Sequence, residues 1–357
     1  MLQNNPRLTT NNFDLLRLLF AGTVFLVHVY VLSGYQQLSL LAAVFSASVA
    51  VKGFFVVSGF LIFMSFERSP SLFSYTGKRF KRIYPAYFAV VVLCAISLTG
   101  VTTKSPADYF SSAWIKYIFA NLSFLNFLHP TLPGVFENNR IDAVNGALWT
   151  LKIEVMFYLS VPLFVYLFRR FGKLPVIIIV YIISVSYAMI LSWSATKTGS
   201  DFYLRLGRQL PGQLSYFIAG SFFYYYLPFF QRYVRFFLFS AIFVLTANKY
   251  LPLAVLEPLA LATVVIFFGL FLYLGNFGKY GDFSYGIYIL HFPIIQYFLW
   301  LGWPANQPWL FLFATATTTL MAAIAMWHLI EKRFLARNSH YVGTTTRQTT
   351  GKTMTDK

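Results

Sequence analysis

Apolar runs long enough to cross a lipid bilayer follow one another along almost the whole chain. A helix rises about 1.5 Å per residue, so roughly 20 apolar residues span the hydrocarbon layer. Ten such runs lie near residues 13–34, 41–66, 84–102, 149–168, 174–194, 208–228, 233–249, 252–275, 283–302 and 309–330. We therefore predict an all-α polytopic membrane protein, a bundle of about ten transmembrane helices.

The composition excludes a soluble globular protein. Of the 357 residues, 58% are hydrophobic and only 11% are charged, which is more apolar surface than one water-soluble core can hide. The net charge of +17 comes from short basic clusters between the apolar runs, a pattern of membrane topology and not of nucleic-acid binding. The single cysteine, Cys94, rules out an intramolecular disulfide.

The distribution of Lys and Arg predicts the orientation of the chain. If the short run 114–128 does not cross, most basic residues fall on one side, so the positive-inside rule places both termini in the cytoplasm. Residues 100–148 then form a long outer loop, a connection or else a lid or acceptor platform. We expect a membrane domain over 1–337 and a polar, disordered cytoplasmic tail over 338–357.

The first span carries ionisable residues on one face. Arg17 and His28 are eleven positions apart, so their side chains share a stripe and lie roughly 16 Å apart along the axis. Asp14 falls near the same stripe. Such groups are costly in a bilayer and face a bundle interior or a wet cavity. The alternative is an interfacial cap and anchor with a hydrogen-bonded histidine; we favour the functional stripe.

Glu154 of the fourth span is predicted to lie at the depth of His28. By the helical rise, both groups are about 8 to 9 Å from the outer ends of their helices. If the helices are neighbours, Glu154 would orient His28 as the carboxylate of a base dyad does. The alternative is that Glu154 pairs with Lys52 or a backbone group and serves only packing. Lys52 is an intramembrane residue without an obvious partner in its own helix.

Two further patterns mark candidate residues. In KRFKRIYPAY (78–87), Arg79 and Arg82 suit a phosphorylated ligand entering from the cytoplasm. Lys78 and Lys81 are explained at least as well as membrane anchors. In the ninth span, Ser284, Tyr288 and His291 share a face. His291 is expected about 12 Å from the cytoplasmic end of its helix, and a structural role is favoured for it over a catalytic one.

Taken together, five stretches resemble the acyltransferase-3 family of bacterial integral-membrane sugar O-acyltransferases. The resemblance covers residues 12 to 334 and is strong because the motifs occur in the family's order. They are Asp14-x2-Arg17-x10-His28, GFFVVSGFLI (53–62), KRFKRIYPAY (78–87), ALWTLKIEVMFYL (147–159) and FSYGIYILHFPI (283–294).

The resemblance implies ten spans, an acyl-CoA donor from the cytoplasm and transfer to a glycan hydroxyl at the outer face. It implies that Arg17 and His28 are essential and that Trp149 and Glu154 belong to the family's W-T-L-x-x-E motif. Lys52 departs from the family, where this position is acidic in many members. Some members carry a fused hydrolase-like domain, so a second transfer step here would need a separate protein or the membrane domain alone.

Our leading hypothesis is an O-acetyltransferase of the bacterial inner membrane that modifies lipopolysaccharide O-antigen or a similar envelope glycan. Acetyl-CoA would bind through Arg79, Arg82 and Arg17, and His28 would take the proton of a sugar hydroxyl. A covalent acyl carrier stays open, with His28 the first candidate and Ser58 a weaker one. We expect no metal. The alternatives are a transporter or flippase of an acyl donor or lipid-linked sugar, and an acyltransferase acting on peptidoglycan or a small molecule.

Overall fold

The structure is a computed structural model that describes residues 6–248, 250–251 and 253–335. In these residues it contains helices, turns and irregular segments and no β-strand, as predicted. The tail predicted over 338–357 lies outside the described residues. The α-helices are α1 (Phe13–Ser33), α2 (Ser39–Val44), α3 (Ala47–Glu67), α4 (Leu72–Ser97), α5 (Pro106–Tyr109), α6 (Ser112–Leu122), α7 (Trp149–Phe171), α8 (Lys173–Thr198), α9 (Asp201–Gly207), α10 (Leu210–Tyr225), α11 (Leu227–Arg232), α12 (Val234–Ala247), α13 (Glu257–Phe271), α14 (Ser284–Leu301), α15 (Pro308–Met326) and α16 (Lys332–Phe334).

Six helical segments in the described part of the chain are long and apolar enough to cross a membrane, so the protein is multi-pass. They are Phe13–Ser33, Gln36–Glu67, Leu72–Gly100, Gly146–Phe171, Lys173–Thr198 and Pro308–Phe334. The other four predicted spans correspond to α10, α12, α13 and α14, which have 14 to 18 residues. The count of ten spans stays a prediction.

The region from Leu72 to Leu122 differs in detail from the sequence prediction. The third apolar run was drawn from residue 84, but α4 begins at Leu72 and includes the whole basic stretch 78–87, with Pro85 inside the helix. The run 114–128 becomes α6, which has only 11 residues. At 1.5 Å per residue α6 is about 16 Å long, too short to cross a bilayer.

The chain divides into two compact units. The first unit comprises Met1–Leu16, Ser48–Thr76 and Ile153–Asn276, and the second comprises Arg17–Ala47, Gly77–Lys152 and Phe277–Lys357. Helices α1, α4 and α7 have residues in both units, and so does α3, whose first residue, Ala47, belongs to the second unit.

In the first unit, two glycines let helices α3 and α10 approach closely. A Cβ on Gly59 would lie 1.9 Å from the carbonyl oxygen of Phe217, and one on Gly220 would lie 2.1 Å from that of Val56. Small residues of this kind drive helix association in membranes, where no water is released when apolar surfaces meet. Beside this crossing the rings of Phe157 and Phe217 stack 4.2 Å apart.

In the first unit a half-buried ion pair joins α3 to α13. Lys52 of α3 lies 2.7 Å from Glu257 at the start of α13, and the hydroxyl of Tyr216 on α10 donates to the same carboxylate at 3.0 Å. The partner of Lys52 is therefore Glu257, and the alternative pairing of Glu154 with Lys52 was wrong. Such pairing offsets the cost of burying the lysine charge.

The second unit is arranged around α14, which packs against α15. Gly286 of α14 lies against Ala323, so the two helix backbones meet closely. The hydroxyl of Tyr285 donates at 3.0 Å to the carbonyl of Ile83 on α4. Gly281, before α14, adopts a φ of +131° under the indole of Trp327, a conformation that a side chain would strain. Eleven of the eighteen residues of α14 are buried.

We expect Gly59→Ala to destabilise the protein, because the new methyl group meets backbone and not a flexible side chain. Overpacking of this kind costs about 1–3 kcal/mol. The midpoint of thermal unfolding in detergent should therefore fall. The matched control is Gly22→Ala in α1, where nothing lies within 4 Å of the added Cβ. Equal midpoints for the two variants would contradict the close α3–α10 crossing.

Candidate functional site

Helices α1 and α14 run in the same direction within the second unit and meet at two polar points. Arg17 pairs with Asp282, which lies just before α14, and His28 contacts His291 farther along both helices. From Arg17 to His28 is eleven residues and from Asp282 to His291 is nine, and these intervals correspond to similar rises of about 16 and 14 Å. The stripe predicted on the first span therefore faces a matching stripe on α14.

The two imidazole rings form a close pair. Nδ1 of His28 lies 2.7 Å from Nε2 of His291, and the ring planes are nearly parallel with centroids 5.0 Å apart. The ring of Phe292 stands edge-on to His28, and that of Phe25 edge-on to His291. His291 is fully buried, whereas His28 is partly accessible. An accessible imidazole held by a buried one is suited to proton transfer.

The level of α14 relative to α1 was not predicted from the sequence. The expected position of His291, about 12 Å from the cytoplasmic end of its helix, stays a prediction. In the structure α14 starts only at Ser284, and Asp282 before it is already level with Arg17, inside α1. The two helices therefore start at different levels, and His291 lies beside His28.

Asp282 is the centre of a buried charge cluster that the sequence analysis missed. One carboxylate oxygen accepts hydrogen bonds from Arg17 at 2.5 Å and from Arg82, and the other accepts from the backbone N–H and the hydroxyl of Ser284. Its negative charge also suits the amino-terminal end of α14. Burial alone would raise the pKa of Asp282, but Arg17 and Arg82 outweigh it and hold this pKa below its usual value.

Two of the residues predicted to bind the donor meet within the second unit. Arg17 and Arg82 meet at Asp282, and Arg82 also lies 3.8 Å from Glu331. Arg79 is half-buried on the same helix, α4. Ser58, on α3, belongs to the first unit, as does Asp14 in the first turn of α1.

The polar face predicted on α14 is engaged along its length. Ser284 binds Asp282, and the hydroxyl of Tyr288 lies 2.7 Å from that of Thr150, which also donates to the carbonyl of Ala147 at 3.2 Å. Trp149, beside Thr150, is the first residue of α7 and is half-buried. This face thus fixes the start of α7.

The predicted pair of His28 and Glu154 stays a prediction. Glu154 belongs to the first unit, where the hydroxyl of Tyr158, one turn later on α7, donates to its carboxylate at 2.5 Å. Within the second unit, the Nδ1 atom of His28 faces His291. The sequence analysis had named both histidines but had not predicted their contact.

Pro293 explains how the segment before α7 is attached to α14. A proline has no N–H, so the carbonyl of Ile289, one turn earlier, loses its helical hydrogen bond. The side-chain amide of Asn145 donates to this carbonyl at 2.8 Å, and its oxygen accepts from the N–H of Ala147 at 3.2 Å. Gly146 next to it leaves room for the ring of Phe292.

A second anchor lies one turn beyond Pro293. The amide of buried Gln296 donates to the carbonyls of Ile141 and Ala143 at 2.5 and 2.9 Å, and Asn139 donates back to the backbone and side chain of Gln296 at 3.0 and 3.1 Å. Residues 139–147 are therefore fixed to α14 beside the histidine pair.

Comparison with known proteins identifies the family of the chain. Residues 10–328 match the acyltransferase-3 family, described as an acyltransferase domain. The chain belongs to this family. It is thus an acyltransferase, and its long apolar helices make it a membrane protein. No solved structure matches the chain closely enough for comparison.

Two relatives align with nearly the whole acyltransferase. An O-acetyl transferase of Shigella phage Sf6 is 27% identical over 338 residues, covering 92% of this chain and 97% of that protein. Nodulation protein 10 of Rhizobium leguminosarum bv. viciae is 28% identical over 366 residues, covering 90% and 92%. Peptidoglycan O-acetyltransferase OatA of Listeria monocytogenes is 28% identical over 149 residues, or 38% of this chain and 22% of that protein.

We expect Asn145→Ala to destabilise the acyltransferase much less in a Pro293→Ala background than in the wild type. Asn145→Ala leaves the buried carbonyl of Ile289 without a donor, at a cost of about 1–3 kcal/mol. An alanine at 293 restores the N–H that this carbonyl accepts in a regular helix, whereas the lost contact to Ala147 is the same in both backgrounds. A double-mutant cycle of unfolding free energies measures the difference. Additive effects would show that Asn145 does not replace the missing donor.

Proposed function

We propose that this acyltransferase moves an acetyl group from cytoplasmic acetyl-CoA to a hydroxyl of a cell-envelope glycan, lipopolysaccharide O-antigen in the first instance. It would act in the bacterial inner membrane, with about ten spans and both termini in the cytoplasm. The observation that carries the proposal is the pairing of accessible His28 with buried His291 in a chain of this family. The similarity to an O-acetyl transferase of Shigella phage Sf6 supports acetyl as the transferred group.

His28 supplies the base that the reaction needs. A sugar hydroxyl is a weak nucleophile, and removal of its proton as it attacks contributes roughly 10²- to 10⁴-fold to the rate. The ring nitrogen takes the hydroxyl proton, the oxygen forms a bond to the thioester carbonyl carbon, and the carbon–sulfur bond breaks. The proton then passes to the departing thiolate, so the products are the acetyl ester and free CoA.

The donor would bind on the side of α4 that carries the basic stretch. Phosphates pair well with guanidinium groups, and we assign this role first to Arg79. Arg17 and Arg82, which meet at Asp282, are the other two guanidinium groups proposed for this role. In the proposed topology these arginines face the cytoplasm, where acetyl-CoA is made.

The acceptor would bind beside residues 139–147. Since Asn145 and Gln296 tie this segment to α14, it suits a fixed platform better than a mobile lid. The exposed side chains of Asp142 on this platform and of Asn138 just before it are the kind of groups that bind sugar hydroxyls. Peptidoglycan is the alternative acceptor, supported by the partial similarity to OatA.

We expect His28→Ala to abolish acetylation of envelope glycans in cells at normal expression. The purified variant should lose roughly 10²- to 10⁴-fold in acetyl transfer from labelled acetyl-CoA. The control is His328→Ala, at an exposed position. Mass spectrometry of glycans from deletion cells identifies the acceptor. Full activity of the variant, or uptake of acetyl-CoA into vesicles without acetylated product, would refute the proposal. Glu154→Gln in the same assay tests the predicted orienting role of Glu154.

We expect Arg79→Ala to raise KM for acetyl-CoA while leaving kcat nearly unchanged. A hydrogen bond to a charged group contributes about 1.5–3 kcal/mol, which corresponds to roughly 10- to 100-fold in KM. The matched control is Lys81→Ala, an exposed cation two residues later on the same helix. A similar effect of the two substitutions would show that Arg79 contributes only general positive charge.

A further inference from the structure

We infer that His291 is a positioning residue that fixes His28 in the tautomer with its proton on Nδ1, leaving Nε2 as the basic atom. The inference rests on the proposed role of His28 as base. It assigns a task to a residue for which the sequence favoured a merely structural role.

The direction of the hydrogen bonds follows from a backbone carbonyl. Nδ1 of His291 lies 3.1 Å from the carbonyl oxygen of Ile287, one turn earlier on α14. A carbonyl oxygen can only accept, so Nδ1 of His291 carries a proton and donates it. The state of the other ring nitrogen, Nε2, then depends on whether His291 is charged.

Burial makes the neutral form of His291 the stable one. The residue is fully buried, and among the described residues no acidic side chain lies within ion-pair distance of either imidazole. An unpaired charge in such surroundings is strongly unfavourable. With its single proton on Nδ1, His291 presents a lone pair at Nε2. The contact of 2.7 Å therefore requires Nδ1 of His28 to donate, and Nε2 of His28 keeps its lone pair.

The same contact stabilises His28 after it has taken a proton. The imidazolium charge is shared with a hydrogen-bond acceptor that is already oriented, so no reorganisation is needed at that moment. Because the His291 ring is neutral, it accepts this hydrogen bond without adding a permanent buried charge. The edge contacts from Phe25 and Phe292 limit rotation of the two rings, and Gly146 provides the space for Phe292.

Two substitutions at His291 separate its role as a hydrogen-bond acceptor from its role in packing. His291→Phe keeps a ring of similar size but removes the acceptor, whereas the amide oxygen of His291→Gln can occupy the place of Nε2 and accept. We expect kcat to fall roughly 10- to 100-fold in His291→Phe, the range typical of residues that orient a catalytic ligand. KM for acetyl-CoA should stay about the same, and His291→Gln should recover a large part of kcat. A loss that is equal in both variants, or absent in His291→Phe, overturns the inference.

Nitrogen NMR of the full chain, labelled with ¹⁵N-histidine in detergent micelles, gives a readout that does not depend on activity. The His28 signals are assigned by their loss in His28→Asn. We expect a protonated Nδ1 and an unprotonated Nε2 in the wild type and in His291→Gln, and a shift towards protonated Nε2 in His291→Phe. His328→Gln, at an exposed position, should change neither. If the spectra show the expected protonation but His28→Ala stays active, the proposed function fails and the hydrogen-bond assignment stands. If His28→Ala is inactive but the spectra do not show the expected protonation, the hydrogen-bond assignment fails and the proposed function stands.

Discussion

A charged side chain inside an apolar bundle needs a partner of opposite charge, and such a buried ion pair organises the second unit. Two arginines from different helices, Arg17 and Arg82, converge on one carboxylate, Asp282. Removing one partner of a buried ion pair leaves an uncompensated charge and costs about 3–5 kcal/mol, so the three groups hold α1, α4 and the start of α14 together. With only 11 acidic residues against 28 basic ones, the placement of each acid constrains the fold.

The charge cluster also sets the register in which α1 meets α14. Because Asp282 fixes the start of α14 at the level of Arg17, the residues nine and eleven positions later fall side by side, and these are His291 and His28. Pro293 then releases a carbonyl that Asn145 binds, so the attachment of the loop is also determined by α14. One helix thus connects the charged end, the histidine pair and the loop. We consider this connection the structural basis for the proposed placement of donor and acceptor at opposite ends of one site.

Features governed by local periodicity could be predicted from the sequence. The all-helical architecture and the common face of Ser284, Tyr288 and His291 follow from composition and helical spacing. The partners of individual side chains could not be predicted, because which residues of two helices meet depends on the level at which each helix starts. The contact between His28 and His291 was missed for this reason, and Lys52 proved to pair with Glu257, 205 positions away. Asp282 had a usable signal, an acid two residues before Ser284 at a helix start, typical of a capping residue.

The choice of a histidine as the partner of His28 has a physical reason in this environment. A carboxylate would hold the imidazole more strongly, but it would carry its charge through the whole catalytic cycle in a buried place. In the inferred arrangement His291 is neutral at rest and accepts one hydrogen bond, so the histidine pair holds a net charge only while His28 is protonated. The carbonyl of Ile287 supplies the orientation that a carboxylate would otherwise give. The proposed base therefore adds no permanent charge to the pair of helices that also carries the charged cluster at Asp282.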